Sequence, residues 1–228
     1  MSKILIAVPC LEMVYVDFMT SMLELQKPEG TTYNIIRNSL IYDARNAIAL
    51  NAINAGYDKI FWVDSDIRFP PDILIKFNNY IDSGMDYITS LCFTRTKPYY
   101  PCIFTDVVWQ LQENSQVVAG ADRYYDYPKD SLFEVAGSGF GCVMTSVAMI
   151  KDVIENYGSA FTPLLGMGED LAFCWKAKQL GHKMYCDSSI KCGHIGIKTY
   201  DEETYLESRK EEREEQDINE NDKGTQTK

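Results

Sequence analysis

Short apolar runs alternate with helix-like segments along the first 92 residues, and this alternation constrains the fold more than any other feature of the sequence. Most of the runs are continuously apolar, which is typical of strands buried on both faces of a sheet. The predicted strands are 4–8, 31–36, 60–63 and 87–92, and the predicted helices between them are 15–25, 44–55 and 70–81. This order predicts an α/β domain with a mostly parallel, Rossmann-like sheet flanked by helices.

The rest of the chain is less regular. Residues 93–135 are rich in Tyr and Asp and predict loops and hairpins, with strand-like pieces at 102–109 and 115–119. After them we expect a glycine-interrupted strand at 135–145, helices at 146–157 and 169–180, and a late strand at 183–186. Residues 201–228 contain 11 acidic and 5 basic residues. We therefore predict one domain over 1–200 and an acidic, helical or disordered tail over 201–228.

The composition excludes several classes of protein. An apolar fraction of 46% is too high for a disordered chain, and no apolar run approaches the ~20 residues of a membrane-spanning helix. A net charge of −11 disfavours nucleic acid and anionic membranes as partners. The seven cysteines include no C-x-x-C pair, and the first residues lack the pattern of a signal peptide. We expect a cytoplasmic protein with reduced cysteines.

Two carboxylates follow the third predicted strand, which is apolar at every position. Residues 60–63 lead directly into Asp64, Ser65 and Asp66. Ligands of open α/β sheets bind at the carboxyl ends of strands, and two carboxylates this close repel each other unless a cation joins them. Oxygen ligands suit Mg²⁺ or Mn²⁺, ions that usually also hold substrate phosphates. We predict a divalent cation site; the alternative is a polar loop in which an aspartate caps the next helix.

Two further segments carry candidate functional groups. Glu169 and Asp170 lie in the first turn of a predicted helix, after Gly168. Both carboxylates would complement the helix dipole, or one would accept the proton of an acceptor hydroxyl as a general base. His194 follows the last predicted strand, where its imidazole would complete a coordination sphere begun by Asp66. The alternative for His194 is a structural role.

Three weaker signals leave alternatives open. Glycines at 137, 139 and 141 leave room for a bulky ligand, or they mark a weak strand with bulges. Asp43 is a predicted N-cap, and Arg45 after it would reach a nucleotide or its diphosphate, or it is an ordinary surface arginine. A zinc site is conceivable in one histidine and cysteine cluster, although the spacing matches no standard zinc pattern. That cluster consists of His182, Cys186, Cys192 and His194.

Taken in order, these segments resemble the GT-A class of nucleotide-sugar glycosyltransferases, and most closely family 2 and its compact relatives in phages and bacteria. The resemblance spans residues 3–198 and lies in the ordered set 43–46, 61–67, 137–140, 168–170 and His194. It implies the GT-A fold and a metal-dependent, inverting transfer of sugar from a nucleoside-diphosphate sugar, UDP-linked, to a carbohydrate or other hydroxyl acceptor. It also implies that the protein is located in the cytoplasm of a bacterial or phage-infected cell.

The resemblance further implies roles for single residues. Asp66 matches the direct metal ligand, Asp64 the residue near the ribose and the metal-bound water, and His194 the metal-binding histidine. Asp170 matches the base, with Glu169 as its catalytic neighbour. The implied donor-binding residues are Pro9, Arg45, Asp64, Ser65, Asp66 and Gly139, and the implied ligands of Mn²⁺ or Mg²⁺ are Asp64, Asp66 and His194.

Two other functions fit parts of the pattern. A sugar nucleotidyltransferase also uses a metal on an α/β sheet, but it would carry a glycine-rich, basic loop after the first strand, where residues 11–13 read Leu-Glu-Met. A non-catalytic carbohydrate-binding protein would need no metal at Asp66 or His194.

The sequence departs from the family pattern for nucleobase recognition at two places. These are residues 9–12, Pro-Cys-Leu-Glu, and the pair Arg37-Asn38.

Overall fold

The structure is a computed structural model and describes residues 2–197 together with Glu202, Tyr205, Leu206 and Arg209. Its strands are β1 (Ile4–Cys10), β2 (Thr32–Arg37), β3 (Lys59–Val63), β4 (Ile67–Arg68), β5 (Tyr87–Leu91), β6 (Ile103–Leu111), β7 (Val117–Arg123), β8 (Leu132–Val135), β9 (Gly137–Ser138), β10 (Cys142–Ser146), β11 (Met184–Lys191) and β12 (Gly193–His194). Its helices are α1 (Val16–Glu24), α2 (Ile41–Asn54), α3 (Ile73–Asp82), α4 (Val147–Tyr157) and α5 (Glu169–Gln179).

The chain divides into a compact unit, Met1–Ile195, and a second unit, Gly196–Lys228. The acidic tail predicted over 201–228 lies outside the described residues except for four positions, all of them helical. None of the helices within the described ranges is long and apolar enough to cross a membrane.

The main sheet of the described chain has seven strands in the order β2-β1-β3-β10-β5-β11-β8. β1 runs parallel to β2 and β3, and β5 runs parallel to β11. β10 lies antiparallel between β3 and β5, so those two strands share a direction, and β8 is antiparallel to β11. Five of these seven strands therefore point the same way, which confirms the predicted α/β fold with a mostly parallel sheet.

Helices cover both faces of the sheet because alternate residues of a strand point to opposite sides. On β1, Leu5 and Ala7 belong to one apolar core, and Ile4, Ile6 and Val8 belong to the other. The first core includes residues of α2, α4 and α5, and the second includes residues of α1 and α3. Burying a side chain of this size contributes about 1.5–3 kcal/mol, so both faces hold the carboxyl ends of the central strands in place.

α2 begins at Ile41, three residues before its predicted start at Ala44. Leu40 is the extended residue that precedes the helix, so the prediction of Asp43 as the N-cap is wrong. Asp43 lies inside the first turn, where its charge complements the helix dipole. Aspartate is favoured both at the cap and in the first turn, and the sequence does not distinguish the two positions.

The single strand predicted over 135–145 is also wrong. β8 ends at Val135, β9 occupies Gly137–Ser138 in a separate three-stranded sheet with β6 and β7, and β10 starts only at Cys142. A Cβ on Gly137 would lie 3.0 Å from Cys174 Cβ and 3.0 Å from Val107 Cγ2, so the backbone passes closer to α5 and β6 than a side chain permits. The glycines mark the point where the chain changes from one sheet to another.

Candidate active site

The chain turns sharply at the carboxyl end of β3, and the two carboxylates of residues 64–66 stand in this turn. The Asp64 N–H donates to the Gly141 carbonyl at 3.0 Å, and the Ile67 N–H donates to the Asp64 carbonyl at 3.1 Å. After the turn, β4 pairs with β12, which sets His194 opposite Ile67. The Ile195 N–H then donates to the Asp66 carbonyl at 2.7 Å. Two two-residue strands thus bring His194 beside Asp66.

Two side chains that can carry positive charge, Arg95 and His194, lie beside the Asp66 carboxylate. Arg95 Nη1 donates to Asp66 Oδ2 at 2.9 Å, and His194 Nε2 lies 3.4 Å from the same oxygen. Burial alone would raise the pKa of Asp66, but the hydrogen bond and charge of His194 and the charge of Arg95 outweigh it and lower that pKa. The contact with Asp66 in turn raises the pKa of His194. Asp66 is therefore held as a carboxylate.

The orientation of His194 is fixed by its other ring nitrogen. Nδ1 lies 2.9 Å from the Phe93 carbonyl, and a carbonyl only accepts, so Nδ1 carries the hydrogen. Nε2 is the nitrogen that faces Asp66. When His194 is neutral, Nε2 presents a lone pair toward the Asp66 carboxylate, which is the arrangement that metal-binding histidines use.

Arg45 joins Asp64 of the predicted cation site to Glu169, the neighbour of the predicted base Asp170. Its Nη2 donates to Asp64 Oδ1 at 2.9 Å and its Nη1 donates to Glu169 Oε1 at 2.7 Å, while the arginine side chain is only 3% exposed. The guanidinium carbon lies 5.2 Å from the centre of the Phe140 ring. Burial raises the pKa of Asp64, although the Arg45 charge opposes the shift. Because the buried guanidinium pairs with both carboxylates, their attraction offsets part of the free-energy cost of removing the three charged groups from water.

Asp170 is half-buried beside Glu169 at the start of α5. Its Oδ1 accepts the backbone N–H of Leu171 at 2.7 Å. Burial, reinforced by the charge of Glu169, raises the pKa of Asp170. Cβ atoms built on Gly168 and Gly139 would lie 3.4 Å from Oδ1 and 3.7 Å from Oδ2, so the two glycines leave free space next to this carboxylate. The arrangement gives Asp170 the surroundings of a proton acceptor.

The other predicted residues lie around the same edge of the sheet. Ala7 pairs with Trp62 in the parallel ladder of β1 and β3, and continuing this register places the buried Pro9 level with Asp64, one residue past the end of β3. Ser65 is partly exposed in the turn between the two aspartates, and its carbonyl accepts the Tyr15 N–H at 3.5 Å. The half-exposed Gly139 donates its N–H to the Cys102 carbonyl at 2.9 Å.

The histidines and cysteines weighed as a zinc cluster are not brought together. His182 Nε2 lies 2.8 Å from Asp152 and its Nδ1 lies 3.3 Å from Asp86, whereas His194 contacts Asp66. In the part of the chain that the structure describes, no group of three or more His, Cys, Asp or Glu side chains is arranged to hold a metal ion.

Sequence reasoning missed two contributors to this site. Arg95 lies on an exposed loop, 29 positions beyond Asp66 in the sequence, and no sequence motif predicts that the two residues are in contact. The sequence assigns Asn46 no role beyond its place in the segment 43–46, yet its Oδ1 accepts the Phe161 N–H at 2.9 Å and the Ser159 hydroxyl at 3.1 Å. The position of Asn46 directly after Arg45, at the helix start that faces the site, was the available signal.

Many solved structures are similar to this chain, and two of them match it over most of its length. A197 from STIV matches with a TM-score of 0.61 and 16% identity over 86% of both chains. GalNAc-T7, whose structure contains UDP, GalNAc and Mn²⁺, matches with a TM-score of 0.56 and 10% identity over 86% of this chain, which spans 43% of the length of GalNAc-T7. The sequence matches no protein-family model and no curated protein. At these identities the similarity shows the fold, which is that of the GT-A glycosyltransferases.

Proposed function

We propose that the protein is a metal-dependent glycosyltransferase that moves a sugar from a nucleoside-diphosphate sugar, UDP-linked, to an acceptor hydroxyl with inversion. One observation carries the proposal: Arg45 pairs with both Asp64 and Glu169, so the turn that carries Asp66 and the helix start that carries Asp170 lie on either side of one guanidinium. The similarity to GalNAc-T7, solved with UDP, GalNAc and Mn²⁺, supports this choice among the chemistries that an α/β sheet can host.

The side chains at Asp66 fit a divalent cation as two of its ligands. Asp66 Oδ2 and His194 Nε2 lie 3.4 Å apart. Within the described ranges no third side chain of a ligand type converges with them, so water and the donor diphosphate would complete the sphere, as is common for cations bound with substrate phosphates. The bound Mn²⁺ or Mg²⁺ would neutralise charge on the leaving diphosphate. Asp64, the third ligand implied by the resemblance, would act through a bound water because its carboxylate is engaged by Arg45.

Donor binding is assigned to the edge where β1 and β3 end. Pro9 and Ser65 would line the nucleoside, and Gly139 would leave space for the sugar next to Asp170. Arg45 is buried and occupied by two carboxylates, so in this proposal it positions Asp64 and Glu169 and does not contact the diphosphate. It therefore serves as a positioning residue.

Asp170 is the proposed base. Its carboxylate takes the proton of the acceptor hydroxyl, and the hydroxyl oxygen forms the new bond to the anomeric carbon. The bond from that carbon to the diphosphate oxygen breaks on the opposite face, and its electron pair leaves with the diphosphate. A raised pKa suits this role because proton transfer is most efficient when the pKa of the base approaches the working pH.

A screen of donor hydrolysis tests the proposal. Purified protein is incubated with a panel of nucleotide sugars and Mn²⁺, and the released nucleoside diphosphate is measured for the wild type and for Asp66→Asn. We expect slow, Mn²⁺-dependent release from a UDP-sugar by the wild type and none by the variant. A carbohydrate-binding protein would release nucleotide from no donor, and a nucleotidyltransferase would instead release pyrophosphate from a nucleoside triphosphate and a sugar phosphate.

A further inference from the structure

We propose that Arg95 is a resident counter-ion of the donor site: it occupies the cation position on Asp66 while no divalent cation is bound, and it transfers to the donor diphosphate when the cation enters. The inference rests on the proposed function and adds a residue that neither the sequence motifs nor the fold assigns.

The contacts of Arg95 place it where a cation would bind. Nη1 lies 2.9 Å from Asp66 Oδ2 and 3.4 Å from the Ile195 carbonyl. His194 Nε2 approaches the same Oδ2 at 3.4 Å. The guanidinium therefore shares one carboxylate oxygen with the imidazole that is the other proposed ligand.

A divalent cation and this guanidinium are incompatible at one oxygen. Like charges repel more strongly the less water lies between them, and arginine keeps its charge because its pKa is above ~12. Arg95 must therefore leave Asp66 when a cation binds there. The ion pair with Arg95 consequently competes with the metal and weakens its binding to the free protein.

Arg95 is free to move in a way that Arg45 is not. Its side chain is 47% exposed, whereas that of Arg45 is 3% exposed. Arg95 lies near the base of an exposed loop over 94–100, which is closed by a bridge between Phe93 and Pro101 and by a hydrogen bond from the Tyr100 N–H to the Thr94 hydroxyl at 2.9 Å. A fixed base with an exposed side chain allows the guanidinium to swing without unfolding the loop.

The donor diphosphate is the natural new partner of Arg95. In the proposed complex the diphosphate lies next to the cation, so it comes within reach of a guanidinium displaced from Asp66. The planar fork of arginine matches phosphate oxygens in pairs. Arg95 would thus weaken cation binding before the donor arrives and strengthen binding of the diphosphate afterwards, which makes cation and donor binding mutually dependent.

The two effects have opposite signs in an Arg95→Gln variant, and this makes the proposal testable by binding alone. Mn²⁺ affinity without nucleotide is measured from the electron paramagnetic resonance signal of free Mn²⁺, and UDP affinity at saturating Mn²⁺ is measured by calorimetry. We expect Arg95→Gln to bind Mn²⁺ up to about fivefold more tightly, the range of a partly exposed ion pair. We expect it to bind UDP at least about tenfold more weakly, because charge-assisted hydrogen bonds to phosphate are lost.

Two further variants separate this role from a general effect of charge. Arg95→Lys keeps the charge but loses the fork, so Mn²⁺ affinity should stay near the wild-type value while UDP affinity falls. Arg68→Gln removes the same charge two residues after Asp66, from a side chain that packs against Gly193, and should leave both affinities nearly unchanged.

The outcomes distinguish this inference from the proposed function. If wild type binds Mn²⁺ and UDP and Arg95→Gln behaves like Arg68→Gln, or binds Mn²⁺ more weakly, Arg95 is an ordinary surface ion pair and only this inference fails. If the wild type and all three variants bind neither Mn²⁺ nor UDP, the proposed function fails and takes the role of Arg95 with it.

Discussion

Glu169 and Asp170 are neighbours in sequence with different environments. Successive residues of a helix project about 100° apart because a turn contains ~3.6 residues. Glu169 points to Arg45 and forms an ion pair at 2.7 Å, whereas Asp170 faces the space left by Gly139 and Gly168. The carboxylate without a side-chain cation is the better candidate for accepting a proton, and its raised pKa agrees with that assignment.

Asp170→Asn should lower sugar transfer by about 10²–10⁴-fold, the usual contribution of a positioned base. The amide keeps the shape of the carboxyl group and removes only the proton acceptor, so donor affinity should remain close to wild type. Transfer rates and calorimetric donor affinity measure the two effects separately. Glu169→Gln is the matched control and should reduce transfer less; a larger loss in that variant would identify Glu169 as the base.

Gly139→Ala should impair transfer without unfolding the protein. The new methyl would sit in ordinary contact with Cys102 Cβ at 3.5 Å, and also 3.7 Å from Asp170 Oδ2, in the space proposed for the reacting groups. A displacement of about 1 Å in a reacting group lowers rates by roughly a hundredfold. Gly120→Ala is the control, because a Cβ there meets nothing within 4 Å. Equal turnover in the two variants, at unchanged melting temperature, would show that this space is not used.

The sequence predicts candidate site residues from local patterns, but it does not predict the contacts between them. Strand ends, a helix start and the ordered family pattern are enough to select the candidates Asp64, Asp66, Asp170 and His194. For Arg45 the sequence leaves two alternatives, a contact with a nucleotide or a position on the surface. The structure instead pairs Arg45 with two carboxylates and leaves its side chain 3% exposed. Contacts of this kind depend on distances between residues far apart in the chain, which no local pattern contains.

At the scale of elements, α2 braces the segment that leads into α5. Asn46 accepts two hydrogen bonds from residues 159 and 161, and Lys176 Nζ donates to the carbonyls of Ser159, Ala160 and Thr162 at 3.0–3.3 Å. The segment over 158–163 is thereby attached to two helices. Because this segment runs into the turn that carries Glu169 and Asp170, its attachment helps to place both carboxylates.

Asn46→Ala should therefore destabilise the fold. It removes both hydrogen bonds and leaves the Phe161 N–H without its acceptor, a loss of about 1–3 kcal/mol in the free energy of unfolding. Urea unfolding measures this quantity. Asn51→Ala is the matched control because Asn51 is an exposed residue of the same helix, and it should change stability by less than about 0.5 kcal/mol. Similar losses in both variants would mean that Asn46 does not brace the segment.

The long elements were predictable and the short ones were not. α1, α3, α4 and α5 begin and end within about three residues of their predicted bounds, because each has an apolar face or clear boundary residues. β4 and β12 have two residues each, too few for a periodic pattern, yet their pairing is what brings His194 to Asp66. The late strand was predicted only over 183–186, whereas β11 extends through the polar residues 187–189 to Lys191.

At the scale of the whole molecule, the site lies at the carboxyl edge of a sheet whose central strands are buried on both faces. β3 and β5 are buried at every position, so their ends are fixed by the two cores. The expectation of a ligand site at this edge follows from the parallel topology, which the sequence predicts. The antiparallel insertion of β10 could not, because the direction of a strand depends on the path of the chain and not on its own residues.

The most direct test of the central claim is calorimetry of UDP binding with Mn²⁺ and with a chelator. Asp66 and the donor diphosphate are both negative, so they repel unless a cation joins them. We predict that the wild type binds UDP with Mn²⁺, that affinity collapses in chelator, and that Asp66→Asn loses binding under both conditions while keeping its melting temperature. Equal UDP affinity with and without Mn²⁺ would contradict the assignment of a cation-dependent donor site.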